Sequence, residues 1–250
     1  MNRLLELGKQ LLEVREKRKS NRKRRSAVLA TTTSLRRDLR RGLSHGMDVF
    51  KSLGLDDGNA WLEVKPDSGA TFSISRYTRV KDVTRKGGRE YFTIVDWPYE
   101  GKKASVKVQG DASRFKNVSY EDKLGTVTYN IAKKELTFGS NSTPVKTFMS
   151  DPLPKGKYKL LLPDHPHAGG NNYTKLSPYA TVWFKIEQSA DDLSRYLHVG
   201  RATAGCVTCG EERNGGGTDD DRKRWTEIYH YLINRRAKGK AKYVGELVVE

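Results

Sequence analysis

Two cysteines stand three positions apart in the chain, Cys206 and Cys209, and a glycine, Gly205, precedes the first. His198 lies eight positions before Cys206, near the end of a run, RYLHVG (195–200), whose β-branched and aromatic residues read as a strand. A thiol works as a nucleophile when an imidazole or another base keeps it as thiolate. If residues 201–204 turn back over the strand end, the ring of His198 and the thiol of Cys206 come within hydrogen-bond reach. Gly205 lets the backbone bend close past a reacting carbonyl, and N–H groups near Cys206 can face a developing oxyanion. That pattern points to acyl transfer through a thioester. Three other readings use the same residues. Cys206 and Cys209 form a CxxC, and His165 and His167 complete a set of N and S zinc donors, although no second CxxC or HxxxH accompanies them. A redox pair expects a helix after its first cysteine, whereas Gly210 and a glycine-rich loop follow here. Two packed structural thiols are the plain alternative.

A second group of polar side chains occupies the loop PDHPHAGGNNY (163–173) between two strand-like runs. Loops in that position commonly line pockets. Asp164, His165, His167 and Tyr173 are therefore read as contacts for a peptide that carries an amine and a carboxylate, and Arg201 as a partner for a carboxylate. His165 and His167 also compete with His198 for the role of base. Trp183 and Phe184 read as core, and Trp225 and Tyr229 as the apolar face of a helix.

Positioning such residues requires a framework, and the texture from Ala60 onward is that of short strands and turns. AWLEV (60–64), ATFSISR (70–76), REYFTIVDW (89–97) and ASVKVQG (104–110) form one series, with Pro66 to Gly69 and Lys86 to Gly88 as turns. LGTVTYNI (124–131), KELTFGS (134–140), KGKYKLLLP (155–163), TVWFKIE (181–187) and RYLHVG form a second. Helical spacing returns at Trp225, Ile228, Tyr229, Leu232 and Ile233, with acids at 219–221 near its start, and 244–249 read as a closing strand. The expected architecture is mainly β with helices: a helical arm over 1–55, a small SH3-like β module over 56–120, and a β-sandwich domain over 121–250.

The domain over about 122–250 resembles the L,D-transpeptidase catalytic domain, the YkuD fold. TVTYNIAKKELTF (127–139) is similar to that family's opening hairpin. LPKGKYKLLLPD (153–164) resembles its Thr-Pro-x-Gly strand, with Leu153 where threonine is usual, and RYLHVGRATAGCVT (195–208) resembles its active-site segment. Ala204 stands where a second histidine is usual, Thr203 stands near the serine position, and the loop from His198 to Cys206 is shorter, as in effector-like short-motif variants. The resemblance implies Cys206 as nucleophile, His198 as its base, Gly205 as the preceding glycine, and peptidoglycan stem peptides as substrate. It implies a transpeptidase or carboxypeptidase acting in the periplasm or cell wall, including that of a target cell. No cofactor or metal is needed for that reaction.

The N-terminal sequence lacks the uninterrupted apolar region of a secretory signal, so export is expected to use secretion machinery or release at lysis, with an immunity protein as a further expected partner. No stretch approaches the roughly 18–20 apolar residues of a membrane-spanning helix. Net charge is +17, from 47 Lys+Arg against 30 Asp+Glu. Residues 1–42 hold 14 of those bases and 4 of the acids. Leu4, Leu7, Leu11 and Val14, then Leu35, Leu39, Leu43, Met47 and Phe50, recur at helical spacing, so the arm reads as two amphipathic helices with a cationic face. Such a face attracts polyanions, and the rival function is a nucleic-acid- or polyanion-binding protein with an inactive β domain. Deleting residues 1–42 is expected to lower salt-dependent retention on heparin or nucleic acid while leaving turnover of a small soluble peptide unchanged; a truncated protein that folds but has lost that turnover contradicts the separation.

Overall fold

The computed structural model describes residues 51–53, 60–140, 144–187, 195–201, 205–236 and 242–250. The amphipathic helices read within 1–50 lie outside the described residues, as do Thr203 and Ala204, and Lys51–Leu53, inside the span 1–55 expected to be helical, is a strand instead. Residues 49–250 form one compact unit. It is mainly β, with one 3-10 helix and two short α-helices among the described residues.

Seven strands of the N-terminal half form one antiparallel sheet: β1 (Lys51–Leu53), β2 (Trp61–Pro66), β3 (Phe72–Ser75), β4 (Val80–Lys86), β5 (Arg89–Ile94), β6 (Lys103–Lys107) and β7 (Phe115–Asn117). They lie in the order β3-β2-β6-β5-β4-β1-β7. Leu62, Val64, Ile74, Val80, Phe92, Ile94, Ala104, Val106 and Phe115 make its core. Gly87 and Gly88 join β4 to β5 as a two-residue hairpin loop, both at positive φ (57° and 73°), the handedness that continues the strand twist. β4 was not legible as a strand, because its sequence VKDVTRK is mostly charged and most of its side chains are exposed.

Eight further strands close into a barrel: β8 (Gly125–Asn130), β9 (Glu135–Phe138), β10 (Val145–Phe148), β11 (Gly156–Leu161), β12 (Phe184–Glu187), β13 (Tyr196–Val199), β14 (Val207–Cys209) and β15 (Tyr243–Val249), in the order β10-β14-β13-β12-β11-β15-β8-β9. Two neighbouring pairs are parallel, β15 with β8 and β13 with β14. Helix α1 (Asp219–Lys223) starts with a capping box in which Thr218 and Asp221 satisfy each other's backbone N–H groups. Helix α2 (Trp225–Ile233) buries Trp225, Ile228, Tyr229, Leu232 and Ile233, the face read from periodicity, in the core that the barrel strands share.

The glycine-rich loop between β14 and α1 is organised by a buried acid. The Glu211 carboxylate accepts N–H groups from Arg213, Asn214 and Gly215 at 3.0, 2.7 and 2.5 Å. A second buried acid joins the sheet to the barrel. Asp96, fully buried, accepts from Arg79 through Nε, Nη2 and the backbone N–H at 2.7–2.8 Å. Oδ2, which takes the Arg79 backbone N–H, also accepts from Arg236 Nη2 at 3.2 Å, just beyond α2, and Arg236 donates further to the carbonyls of Tyr77 and Ile233. Removing one member of such a pair leaves buried charge without compensation. Asp96→Ala is therefore expected to destabilise the fold by about 3–5 kcal/mol in denaturant unfolding, whereas a loss below about 1 kcal/mol, the scale of an exposed pair, contradicts the role given to this joint.

Candidate active site

The parallel pairing of β13 and β14 sets Leu197 opposite Val207, His198 opposite Thr208 and Val199 opposite Cys209. Cys206 therefore enters β14 beside Tyr196, and the backbone N–H of Tyr196 donates to Cys206 Sγ at 3.3 Å. The turn before the sulfur is held on both sides. Gly205, at φ 82°, donates its N–H to Ser150 Oγ at 2.9 Å and accepts at its carbonyl from Arg195 Nη1 at 3.2 Å. Arg195 is buried and also binds Asp151, through Nη2 to Oδ2 at 2.6 Å and through Nη1 to the backbone carbonyl. Glycine suits position 205 because a side chain at that φ is strained.

His198 is buried on the same strand, two residues beyond Tyr196. Its Nδ1 lies 2.9 Å from the carbonyl oxygen of Val199, which can only accept, so Nδ1 carries the proton and Nε2 presents its lone pair. Nε2 is buried without a hydrogen-bond partner among the described residues. Burial, with a smaller push from the nearby charge of His167, lowers the His198 pKa from 6.5 to about 4 against the raising effect of the Val199 carbonyl. The ring is neutral at pH 7. The hydrogen bond between His198 and Cys206 expected from the spacing is not formed in this structure: Sγ sits on the Tyr196 N–H, and the ring stands over Trp183.

Trp183 organises the neighbourhood. It stacks on His198 with centroids 4.0 Å apart and rings 17° from parallel, and on its other side on His167 at 4.3 Å and 2°. His165 continues the column at 4.2 Å from His167. Gly170 permits the loop carrying these histidines to lie against the barrel, since a Cβ there falls 2.1 Å from the Ala180 carbonyl oxygen. Asp164 gathers the polar edges: Oδ1 lies 3.0 Å from His167 Nε2 and 3.3 Å from His165 Nδ1, and Oδ2 accepts from the Tyr196 hydroxyl at 3.0 Å. Burial works to raise the Asp164 pKa, but the His167 hydrogen bond, the charges of His167 and His165 and the His165 N–H outweigh it and hold the carboxyl below its usual value.

The residues read as substrate contacts thus fall into two groups. Asp164, His165 and His167 come together around Trp183 and Tyr196. Tyr173 and Arg201 meet each other instead: the Tyr173 hydroxyl accepts the Arg201 backbone N–H at 3.0 Å, while the Arg201 guanidinium is paired with Glu212 at 3.0 Å. Cys209 faces the core and donates to the Asp221 carbonyl at 3.5 Å, and burial pushes its thiol far above the ordinary range. Neither cysteine is in a disulfide among the described residues. Tyr196, Arg195, Ser150 and Trp183 were missed by sequence reasoning. Two signals were available: Tyr196 and His198 are i, i+2 on a strand and share a face, and adjacent strand residues point to opposite faces, so Trp183 and Phe184 cannot both enter the core. Phe184 is the one in the core, and Trp183 is half-buried in the site.

No family model and no curated protein matches the sequence. Among solved structures, an L,D-transpeptidase in complex with imipenem is similar over 69% of this chain and 99% of its own, at 8% identity and a TM-score of 0.30. An L,D-transpeptidase from Mycobacterium tuberculosis H37Rv is similar over 81% of this chain and 99% of its own, at 10% identity and a TM-score of 0.31. At these values the chemistry rests on the residues described above.

The depressed pKa of His198 has a consequence for stability. Between its ordinary value and about 4 the unfolded chain binds a proton that the folded chain refuses, so the contribution of the neutral buried ring is complete above pH 6.5 and is lost as pH falls toward 4. A depression of this size corresponds to about 3 kcal/mol. Denaturant unfolding at pH 7 and pH 4.5 is expected to show a steeper loss for the wild type than for His198→Asn; equal slopes contradict a neutral, buried ring.

Proposed function

We propose that this protein is a cysteine acyltransferase acting on peptidoglycan stem peptides, an L,D-transpeptidase or L,D-carboxypeptidase. The observation that carries the reading is the Nε2 of His198, without a partner among the described residues, fixed as an acceptor by the Val199 carbonyl and buried two residues along from the backbone position that meets the Cys206 sulfur. A buried imidazole lone pair without a partner costs free energy, and such costs concentrate where a proton has to be taken up.

In this mechanism Sγ leaves the Tyr196 N–H and gives its proton to His198 Nε2. The sulfur attacks the carbonyl carbon before a terminal D-amino acid and forms the C–S bond. The C–N bond then breaks, the leaving amine takes the proton from Nε2, and the acyl group remains as a thioester. An incoming amine or water attacks the thioester carbon and loses its proton to the same nitrogen; the C–S bond then breaks and Sγ takes that proton back, with transpeptidation or carboxypeptidation as the result. Arg195 and Ser150 act through Gly205 as positioning residues, because they fix the turn that carries the sulfur. The resemblance of segments 127–139, 153–164 and 195–208 to the L,D-transpeptidase pattern supports the choice of substrate. Delivery to the cell wall by secretion machinery, an immunity partner and contact of the basic arm with polyanions belong to the same proposal. No described helix is long and apolar enough to cross a membrane.

The test is the mass of muropeptides after incubation with the protein. Cys206→Ala is expected to abolish processing, Cys209→Ser to leave most of it, and His198→Asn to slow it by about 10²–10⁴-fold, the scale of acid–base assistance. Alkylation of Cys206 against pH separates the bases: reactivity that collapses in His167→Ala and survives in His198→Asn moves the role to His167. Unchanged muropeptides together with salt-dependent retention of nucleic acid favour the binding-protein reading.

A further inference from the structure

We propose that Asp164, His165 and His167 form a binding site for a divalent transition-metal ion, with Zn²⁺ the best chemical match. Each residue offers one ligand atom, and these atoms all lie within 4.8 Å of one another. The finer geometry is closer still to a coordination shell. Both imidazole nitrogens face the same carboxylate oxygen, His167 Nε2 at 3.0 Å and His165 Nδ1 at 3.3 Å. Zinc holds nitrogen and oxygen ligands at about 2.0–2.2 Å in tetrahedral array, which puts neighbouring ligand atoms about 3.3 Å apart. An ion can therefore replace the proton that Asp164 now shares with His167, with the exposed His165 ring turning its Nδ1 inward to complete the set.

The surroundings hold these ligands as a metal site requires. The Tyr196 hydroxyl occupies Asp164 Oδ2 at 3.0 Å, fixing the carboxylate plane and leaving Oδ1 turned toward the imidazoles. His167 is clamped flat against Trp183 and touched edge-on by Tyr196 at 4.6 Å, so its ring is oriented before any ion arrives. His165 is exposed, with 57% of its side-chain surface in solvent, and gives an ion its path of entry. Two imidazoles and a carboxylate suit zinc and its neighbours in the first transition row, whereas calcium and magnesium favour oxygen ligands alone. Three protein ligands leave a fourth position for water or a ligand carboxylate. Neither cysteine belongs to this set: Cys209 lies in the core, and the Cys206 sulfur is on the Tyr196 N–H. Tyr196 connects the two places, its hydroxyl on Asp164 and its backbone N–H on Cys206, but metal binding does not require Cys206 to react.

The experiment is a Co²⁺ titration of the tag-free, reduced, full-length chain after EDTA treatment, followed by absorbance and by metal analysis. One equivalent of Co²⁺ is expected, with tetrahedral d–d bands and without a thiolate charge-transfer band. His165→Ala is expected to weaken binding by about tenfold or more, the scale on which ligand losses register. Because His165 is exposed, that variant is expected to keep the wild-type unfolding midpoint in EDTA, which separates loss of a ligand from loss of fold. The double variant Cys206→Ala, Cys209→Ser is expected to bind as the wild type does. No binding, undiminished affinity in His165→Ala, or a thiolate band that disappears with the cysteines overturns the assignment.

Discussion

Parallel pairing of β13 with β14 is the constraint on which the site depends. Parallel neighbours normally need a crossover of about a dozen residues or more, yet here the chain leaves β13 after Val199 and re-enters β14 at Val207. So short a return leaves the last residues before β14 little freedom, and Cys206 is among them. The constraint also explains the restraints on the turn. Ser150 and Arg195 take the two backbone groups of Gly205, Gly200 donates to the Cys209 carbonyl at 3.2 Å, and Thr147 Oγ1 donates to the Thr208 carbonyl at 2.9 Å. These partners satisfy backbone groups at the entrance to β14 and within it.

Trp183 divides two environments that a single sequence motif would have merged. On one side His198 is sealed from water and held neutral. On the other, His167 and His165 run out along Asp164 to solvent. Stacked rings pass no proton between them, so along this column of four aromatic rings the two sides influence each other only through charge, as His167 does in lowering the His198 pKa. The arrangement suits a thiol that needs a dry acceptor beside a solvated group of ligands for something charged.

The seven-stranded sheet bears on this arrangement as well as carrying its own core. Trp61 donates to Thr181 Oγ1 at 3.1 Å, close in sequence to Trp183, and the Tyr99 hydroxyl reaches the Asp164 carbonyl at 3.4 Å. With the Asp96 joint, these contacts tie the histidine loop to both halves of the unit. Loops anchored in this way are better suited to hold a fixed geometry than loops free at the surface.

Much of this was legible in the residues. Alternation and turn chemistry marked most strands, the 3.6-residue period gave the buried face of α2, and Gly205 before Cys206 distinguished that thiol from Cys209. These signals are local, set by neighbours a few positions away. β1, β7, β10 and β14 were not legible, because strands of three or four residues show a period only inside a longer alternating run, and β4 was hidden by its charged, exposed surface. The Arg195 clamp and the Trp183 column depend on partners far apart in sequence. Arg195 and Asp151 are 44 residues apart, and Asp164 and Tyr196 are 32 apart. Sequence by itself determined which side chains can do chemistry and, for His198, the strand that carries it. Only the tertiary structure decided which of them meet, because strand order and register, not spacing along the chain, set the distances between their functional atoms.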